Sequence, residues 1–206
     1  ALWYGALTGI VVLFVATLTY AAHTRGHYDD LDDVLVGAAA HIAEDGGANV
    51  LTVVSALSGV TNELQALCAA EIGAADFSRR IEALVERHRA YAAELGVDGD
   101  AVLGERFAAL RGLADAARRA GCSLEWQAEL LAQGELLSST LGVAYLRAQG
   151  LDVEWVDARD YLRAVSLPNQ NAWSRRLSVS CAYSASATVR DMLASSGKLL
   201  VTQGFI

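Results

Sequence analysis

Lysine is almost missing from this chain. Fifteen of its sixteen cationic residues are arginine, and Lys198 stands alone. Chemistry that needs an ammonium against a phosphate must use Lys198 or do without lysine. Proline is equally scarce: Pro168 by itself in 206 residues excludes proline-rich linkers and collagen-like repeats. The three cysteines, Cys68, Cys122 and Cys181, are odd in number and more than 50 residues apart. That spacing fits neither a zinc knuckle nor a disulfide framework, so they read as buried or half-buried free thiols of a reducing compartment. Basic residues are outnumbered 16 to 24, for a net charge of −8 and a pI near 4.9. A surface of that sign repels a phosphate backbone and counts against nucleic-acid partners.

Charge is absent altogether from residues 1–22. About 20 apolar residues rising 1.5 Å each would cross a bilayer core, so a membrane helix over residues 2–22 is one reading. Trp3, Tyr4 and Tyr20 would then sit at the interfaces. With no basic segment ahead of the stretch in this sequence, a signal peptide is not the expected reading. The other reading is a buried central strand, because Ile10 to Val15 is a short β-branched and aromatic run bounded by Gly9 and later threonines. Periodicity does not separate the two.

Beyond residue 30 the chain alternates. Leu31 to Ala43 carries an apolar stripe at helical spacing. Val50–Val54 reads as a second buried strand, and the small-residue stretch Ser55–Asn62 leads into a helical pattern from Glu63 to about Ile72. Strand, small polar loop and helix form the unit whose ligand site lies at the strand's carboxyl end. Three long helices are expected from Asp76 to about Leu95, from about Ala101 to Ala120, and from a Ser123 cap to Ala148 through Gly134. Short strands are expected at Asp152–Val156, Val179–Cys181 and Leu199–Thr202, with helices at Ala158–Arg163 and Ala185–Ser195. With 53% hydrophobic residues the chain can build one sizeable core. The economical architecture is one α/β domain with a helical insertion. Gln203–Ile206 comes after the last strand with no closing helix, which reads as a truncation.

Val53-Val54-Ser55-Ala56-Leu57-Ser58-Gly59-Val60-Thr61-Asn62 resembles the second strand-and-loop signature of aspartate kinases, in the amino-acid kinase superfamily. Gln133-Gly134-Glu135-Leu136-Leu137-Ser138-Ser139 is similar to their Gly-Glu-x-x-Ser segment. Leu146–Leu151, Asp157–Asp160 and Val201–Ile206 resemble later strands and turns of the family, in the same order. Trp173–Cys181 resembles the version fused to a diaminopimelate decarboxylase. The resemblance implies a three-layer α/β/α sandwich with a mostly parallel central sheet, truncated at the C-terminus. Residues 1–206 would then be a partial amino-acid kinase domain that keeps the aspartate-binding half. It places the first strand at residues 10–14, favouring strand over membrane helix.

The resemblance also implies an activity: transfer of the γ-phosphoryl of ATP, with Mg2+, to the side-chain carboxylate of L-aspartate in lysine, threonine and methionine biosynthesis. It implies a cytoplasmic location, is compatible with a homo-oligomer, and counts against a membrane. Glu135 would bind the substrate ammonium; Ser55, Gly59, Thr61 and Asn62 would receive the rest of it. The plainer reading of the same loop is a helix cap, with Thr61 capping a helix that starts at Asn62, and both readings can hold together. One departure matters. The family's phosphate-binding lysine falls on Phe14, and both glycines of that motif are missing, so impaired phosphoryl transfer is expected. A non-catalytic aspartate-binding or subunit-pairing remnant, and a membrane-anchored α/β protein, are the alternatives.

Other clusters have plainer explanations. His23 and His27 beside Asp29, Asp30, Asp32 and Asp33 read as a solvated acidic helix start, ahead of a metal site. Arg79, Arg80, Arg87 and Arg89, mixed with Glu82 and Glu86, read as an exposed helix face with i, i+4 pairs. Trp126, Trp155 and Trp173 read as core.

Overall fold

The computed structural model describes residues 13–14, 51–68, 73–182, 184 and 186–204. The helix expected at 31–43 and the His23/His27 cluster lie outside them. In chain order the elements are β1 (Leu13–Phe14), β2 (Leu51–Val54), α1 (Val60–Cys68), α2 (Ala74–Glu94), α3 (Gly99–Ala120) and α4 (Leu124–Ala148). Then come β3 (Val153–Trp155), α5 (Ala158–Tyr161), β4 (Ala164–Val165), α6 (Ala172–Leu177), β5 (Ser180–Cys181), α7 (Ala187–Ser196) and β6 (Leu199–Gln203).

The main sheet has the order β1-β2-β6-β3, and every pairing in it is parallel. Leu13 and Phe14 pair with Thr52 and Val53, so the strand reading holds at these two residues, which a bilayer helix through 2–22 would not allow. No helix among the described residues is long and apolar enough to cross a membrane. Alternation along the strands sorts the faces. Thr52 and Val54 sit level with Val201 and Gln203, and Val153 and Trp155 with Leu199 and Val201, so these residues share one face. Helix α4 lies against β2, β3 and β6. Leu200 and Thr202 point to the other face, yet all five residues of β6 are buried. A strand buried on both faces is the central strand of a layered α/β fold.

Helices α2, α3 and α4 pack in sequence order, joined by turns at 95–98 and 121–123. Short connections make consecutive helices neighbours. Asp98 caps α3 by accepting from the N–H groups of Asp100 and Ala101, and Ser123 caps α4 through the N–H of Trp126. Between the helices lie Ile81, Leu84, Val85, Leu103, Phe107, Leu110, Leu130 and Leu137. The Trp126 indole N–H donates to the Leu113 carbonyl at 2.8 Å, closing the bottom of this core.

Several expectations change here. Helix α1 begins at Val60, whose N–H bonds the Leu57 carbonyl, so Thr61 lies inside the first turn and is not the cap. Trp126 is core as expected, but Trp173 is 54% exposed. Cys122 is exposed rather than buried, although all three thiols are free. The arginine-rich face of α2 pairs largely along its own helix: Arg79 and Arg80 meet Asp76, and Arg89 meets Glu86. Glu82 instead reaches across to Arg111 of α3 in a two-pronged contact of 2.7 Å on each prong. The strand β4 and helix α6 had no signal in the sequence. β4 pairs antiparallel with β5 outside the main sheet, forming with α6 an arm at residues 162–182.

Candidate functional site

Because the main sheet is parallel, the carboxyl ends of its strands open on one edge, where α/β folds bind ligands. At the end of β2 the chain leaves the sheet at Ser55 and turns into α1 at Val60. Gly59 makes this turn with φ +79°, a left-handed conformation that suits glycine, and its carbonyl accepts the Glu63 N–H. Two side chains from elsewhere fix the loop. Ser138 of α4 donates from Oγ to the Ser55 carbonyl at 2.7 Å, and Arg87 of α2 donates to the Ser58 carbonyl at 2.5 Å.

Helix α4 comes very close to this loop. A Cβ built on Gly134 would lie 3.1 Å from the Ala56 Cβ, 3.2 Å from Leu64 Cδ1 and 3.3 Å from Val60 Cγ1. Glycine at 134 thus lets α4 seat against the loop and α1 together. The next residue, Glu135, is half-buried and turns its carboxylate toward the end of β6: Oε2 lies 3.5 Å from where a Cβ on Gly204 would stand. Gly204 itself continues the sheet, with its N–H on the Val54 carbonyl at 3.3 Å.

Thr61 and Glu135 each neighbour the point where Gly134 meets Val60, so the β2–α1 loop and the middle of α4 share one edge of the molecule. Thr61 and Asn62 are exposed on the first turn of α1, Gly59 is exposed, and Ser55 is half-buried at the strand end. Phe14 lies on β1, paired with Val53, on the far side of β2 from β6.

A second polar cluster completes the edge. Asp157, just past β3, accepts from Gln203 Nε2 at 2.5 Å and from the Arg159 guanidinium at 2.5–3.0 Å, and caps α5 through the Arg159 N–H. Burial acts to raise the Asp157 carboxyl, but the Arg159 and Gln203 hydrogen bonds outweigh it and hold it down at about 2. Arg106 of α3 stacks over the Trp155 ring at 5.1 Å, while the Trp155 indole N–H donates to Ser139. Burial and then the Arg159 charge push the Arg106 pKa below its ordinary value.

Arg87, Ser138, Asp157 and Gln203 were not among the expected site residues. Ser138, Asp157 and Gln203 fall within the stretches that carry the family resemblance, which was their one signal. Arg87 had none, since it sits among the other arginines of α2 and acts on a distant segment.

Lysine chemistry does not fit this edge. Lys198 stands before the start of β6, close to Asp152 and Glu154, at 3.6 and 4.0 Å. The strand rises about 3.3 Å per residue, so its ammonium is rooted roughly 20 Å from Gly204. Arg87, Arg106 and Arg159 are cations of this edge among the described residues. Those residues hold no group of three His, Cys, Asp or Glu side chains arranged for a metal ion.

Comparison with known proteins bears on this geometry. The bifunctional aspartokinase/homoserine dehydrogenase 1, chloroplastic, of Arabidopsis thaliana is 30% identical over 189 residues, covering 88% of this chain and 20% of its own. The aspartokinase of Chlamydia muridarum is 38% identical over 111 residues, 53% of this chain and 24% of its own. The likeness is to aspartokinases. It extends to structure: aspartokinase III of E. coli, solved with aspartate and ADP, superposes with a TM-score of 0.63 at 25% identity over 84% of this chain. The same enzyme with lysine and aspartate gives 0.61. The fold is the α/β fold of these aspartokinases. The chain spans about a fifth to a quarter of the curated relatives' length, and 38% of the solved chains. No protein-family model matches it.

Proposed function

We propose that this chain forms the aspartate-binding half of an aspartate kinase domain, spanning residues 1–206. The observation that carries the reading is the half-buried Glu135 carboxylate, aimed at the end of β6 where α4 meets the β2–α1 loop. A carboxylate at the rim of an apolar helix face suits a substrate ammonium, because partial desolvation strengthens the ion pair. Ser55, Gly59, Thr61 and Asn62, on the adjoining loop and turn, would receive the remainder of L-aspartate. The E. coli relative solved with aspartate and ADP supports this ligand class.

The reaction in this reading is transfer of the γ-phosphoryl of MgATP to the aspartate side-chain carboxylate, giving 4-phospho-L-aspartate, the start of lysine, threonine and methionine biosynthesis. A carboxylate is already a nucleophile, so the protein need supply no base, only position and charge neutralisation. Phe14 stands where a lysine is expected, and the one lysine of the chain is at the opposite end of β6. Loss of one such electrostatic contact costs roughly 10²–10³ in rate. Binding of L-aspartate should therefore outlast phosphoryl transfer. A remnant that binds aspartate or pairs with another subunit without catalysis is the second reading, and Phe14 favours it. The three free thiols support a cytoplasmic location. Fusion to a diaminopimelate decarboxylase rests on residues 173–181 alone.

Calorimetric titration of the chain with L-aspartate tests the reading, with Glu135→Gln as control. Saturable binding that Glu135→Gln weakens at least about ten-fold is expected for a lost charge-assisted contact. Absence of binding would sink it. An ATP-dependent aspartyl-hydroxamate assay, on the chain and on Phe14→Lys, separates kinase from remnant.

A further inference from the structure

The buried residue Gln203 ends β6, and both the oxygen and the nitrogen of its side chain are bonded. Its Oε1 accepts from the Ala158 N–H at 3.4 Å and from Thr202 Oγ1 at 3.2 Å, and its Nε2 donates to Asp157 Oδ1. Asp157 is held in turn by the Arg159 guanidinium. These bonds tie the exit of β6 to the exit of β3 across 46 residues of sequence. The next residue, Gly204, lies close to both Val53 and Glu135: the Val53 Cγ1 is 3.1 Å and the Glu135 Oε2 3.5 Å from its would-be Cβ. Its N–H reaches the Val54 carbonyl at 3.3 Å, a weaker tie than the 2.5 Å bond from Gln203 to Asp157. What sets Gly204 against Glu135 is therefore the residue before it.

We propose that Asp157 is a positioning residue for the ammonium subsite: acting through Gln203, it holds the main chain of Gly204 at the distance from Glu135 that admits the α-ammonium of a dicarboxylic amino acid. The inference rests on the aspartate-binding reading above. Asp157 touches no substrate in this scheme. Its side chain is half-buried and shared between Arg159 and Gln203, so its negative charge is spent locally and adds little to the subsite itself. The physical basis is that ammonium recognition is short-ranged and directional, so a shift of the β6 exit by a fraction of an ångström changes the room beside Glu135.

The test measures binding of L-aspartate and of succinate, the same dicarboxylate without the ammonium, to the whole chain by calorimetry. Asp157→Ala and Gln203→Leu are expected to weaken L-aspartate about ten-fold while leaving succinate within about two-fold. Asp157→Asn, which keeps an acceptor for Gln203, is expected to restore most of the preference for L-aspartate. If both ligands weaken in parallel, or if both variants fail to fold, the pair serves stability alone and the proposal is overturned. If Glu135→Gln abolishes the preference for L-aspartate while Asp157→Ala and Gln203→Leu keep it, the subsite stands and the positioning role falls. If the unaltered chain shows no preference for L-aspartate over succinate, the aspartate-binding reading fails and takes this proposal with it.

Discussion

The helical body and the arm at 162–182 belong to one chain but obey different rules. In the body, α2, α3 and α4 run 21, 22 and 25 residues and bury apolar side chains from three helices and a sheet against one another. The arm is built from two-residue strands and a six-residue helix, and it leaves Leu162, Val165, Leu167, Trp173 and Val179 exposed. Short elements bury too little to offset the entropy of ordering them, so the arm is held mainly by where α6 touches α4, including Arg176 on Glu125 at 3.2 Å. The comparison teaches where stability and adaptability reside. The candidate site is built on the body side, from α4 and the strand ends, where rotamers are locked by packing.

The sharpest way to break the comparison is to empty the body. Phe107, 1% exposed at the centre of the three-helix core, should cost about 3–5 kcal/mol on Phe107→Ala, read as a fall in the urea midpoint. Crowding comes next. Gly134→Val should cost roughly 1–3 kcal/mol and loosen the β2–α1 loop, because its branches would meet Ala56, Leu64 and Val60. An expected increase in amide exchange across 55–60 would accompany it; an unchanged loop would show that the close approach is slack.

Acid should act on the body through His88. This imidazole is fully buried, with Nδ1 bonded to the Leu84 carbonyl at 2.7 Å and Nε2 without a partner among the described residues. Burial lowers its pKa below the ordinary 6.5, and the Arg87 charge adds to that. The unfolded chain therefore binds the proton first, so His88 contributes its stability above about pH 6.5 and loses it progressively as pH falls toward the folded value. His88→Leu should flatten the stability profile between pH 7 and 5. An unchanged slope would mean that other groups dominate there. Asp157 behaves likewise at lower pH: its contribution is complete above 3.8 and is lost as pH falls toward about 2.

Smaller effects belong to the surface. Arg111→Ala removes the two-pronged contact with Glu82, yet both groups are largely exposed, so the loss should stay below about 1 kcal/mol and shrink in high salt. On the arm, Trp173→Ser should change stability least of all, within about 0.5 kcal/mol, while improving solubility. A large loss there would show that the arm is part of the core after all.

Most of the body was legible from sequence because its signals are local. The Ser123 cap, the Gly121 stop and the apolar spacing of α2–α4 each act within a few residues, and the helices begin and end within two residues of expectation. Thr61 was misjudged because Val60, an apolar residue, opens the helix through its bond to Leu57, a turn that composition does not mark. Trp173 was misjudged because a large aromatic has no local feature that tells a core position from an exposed arm. Of the candidate site, Glu135, Ser138 and the Ser55–Asn62 loop stand in recognisable stretches, whereas Arg87, which also holds the loop, does not. Arg87 reads as one more surface arginine until its guanidinium is found on the Ser58 carbonyl.

The order of residues alone determined the α/β alternation, the long helices and the want of any lysine near the carboxyl edge, since these follow from periodicity, capping and count. Only the folded chain decided that β6 inserts between β2 and β3, that Gly134 is the contact point of α4 with the loop, and that Gln203 meets Asp157. Those are pairings across tens of residues, and they are settled by which buried surfaces and hydrogen bonds can be satisfied at once, a condition that no local stretch of sequence contains.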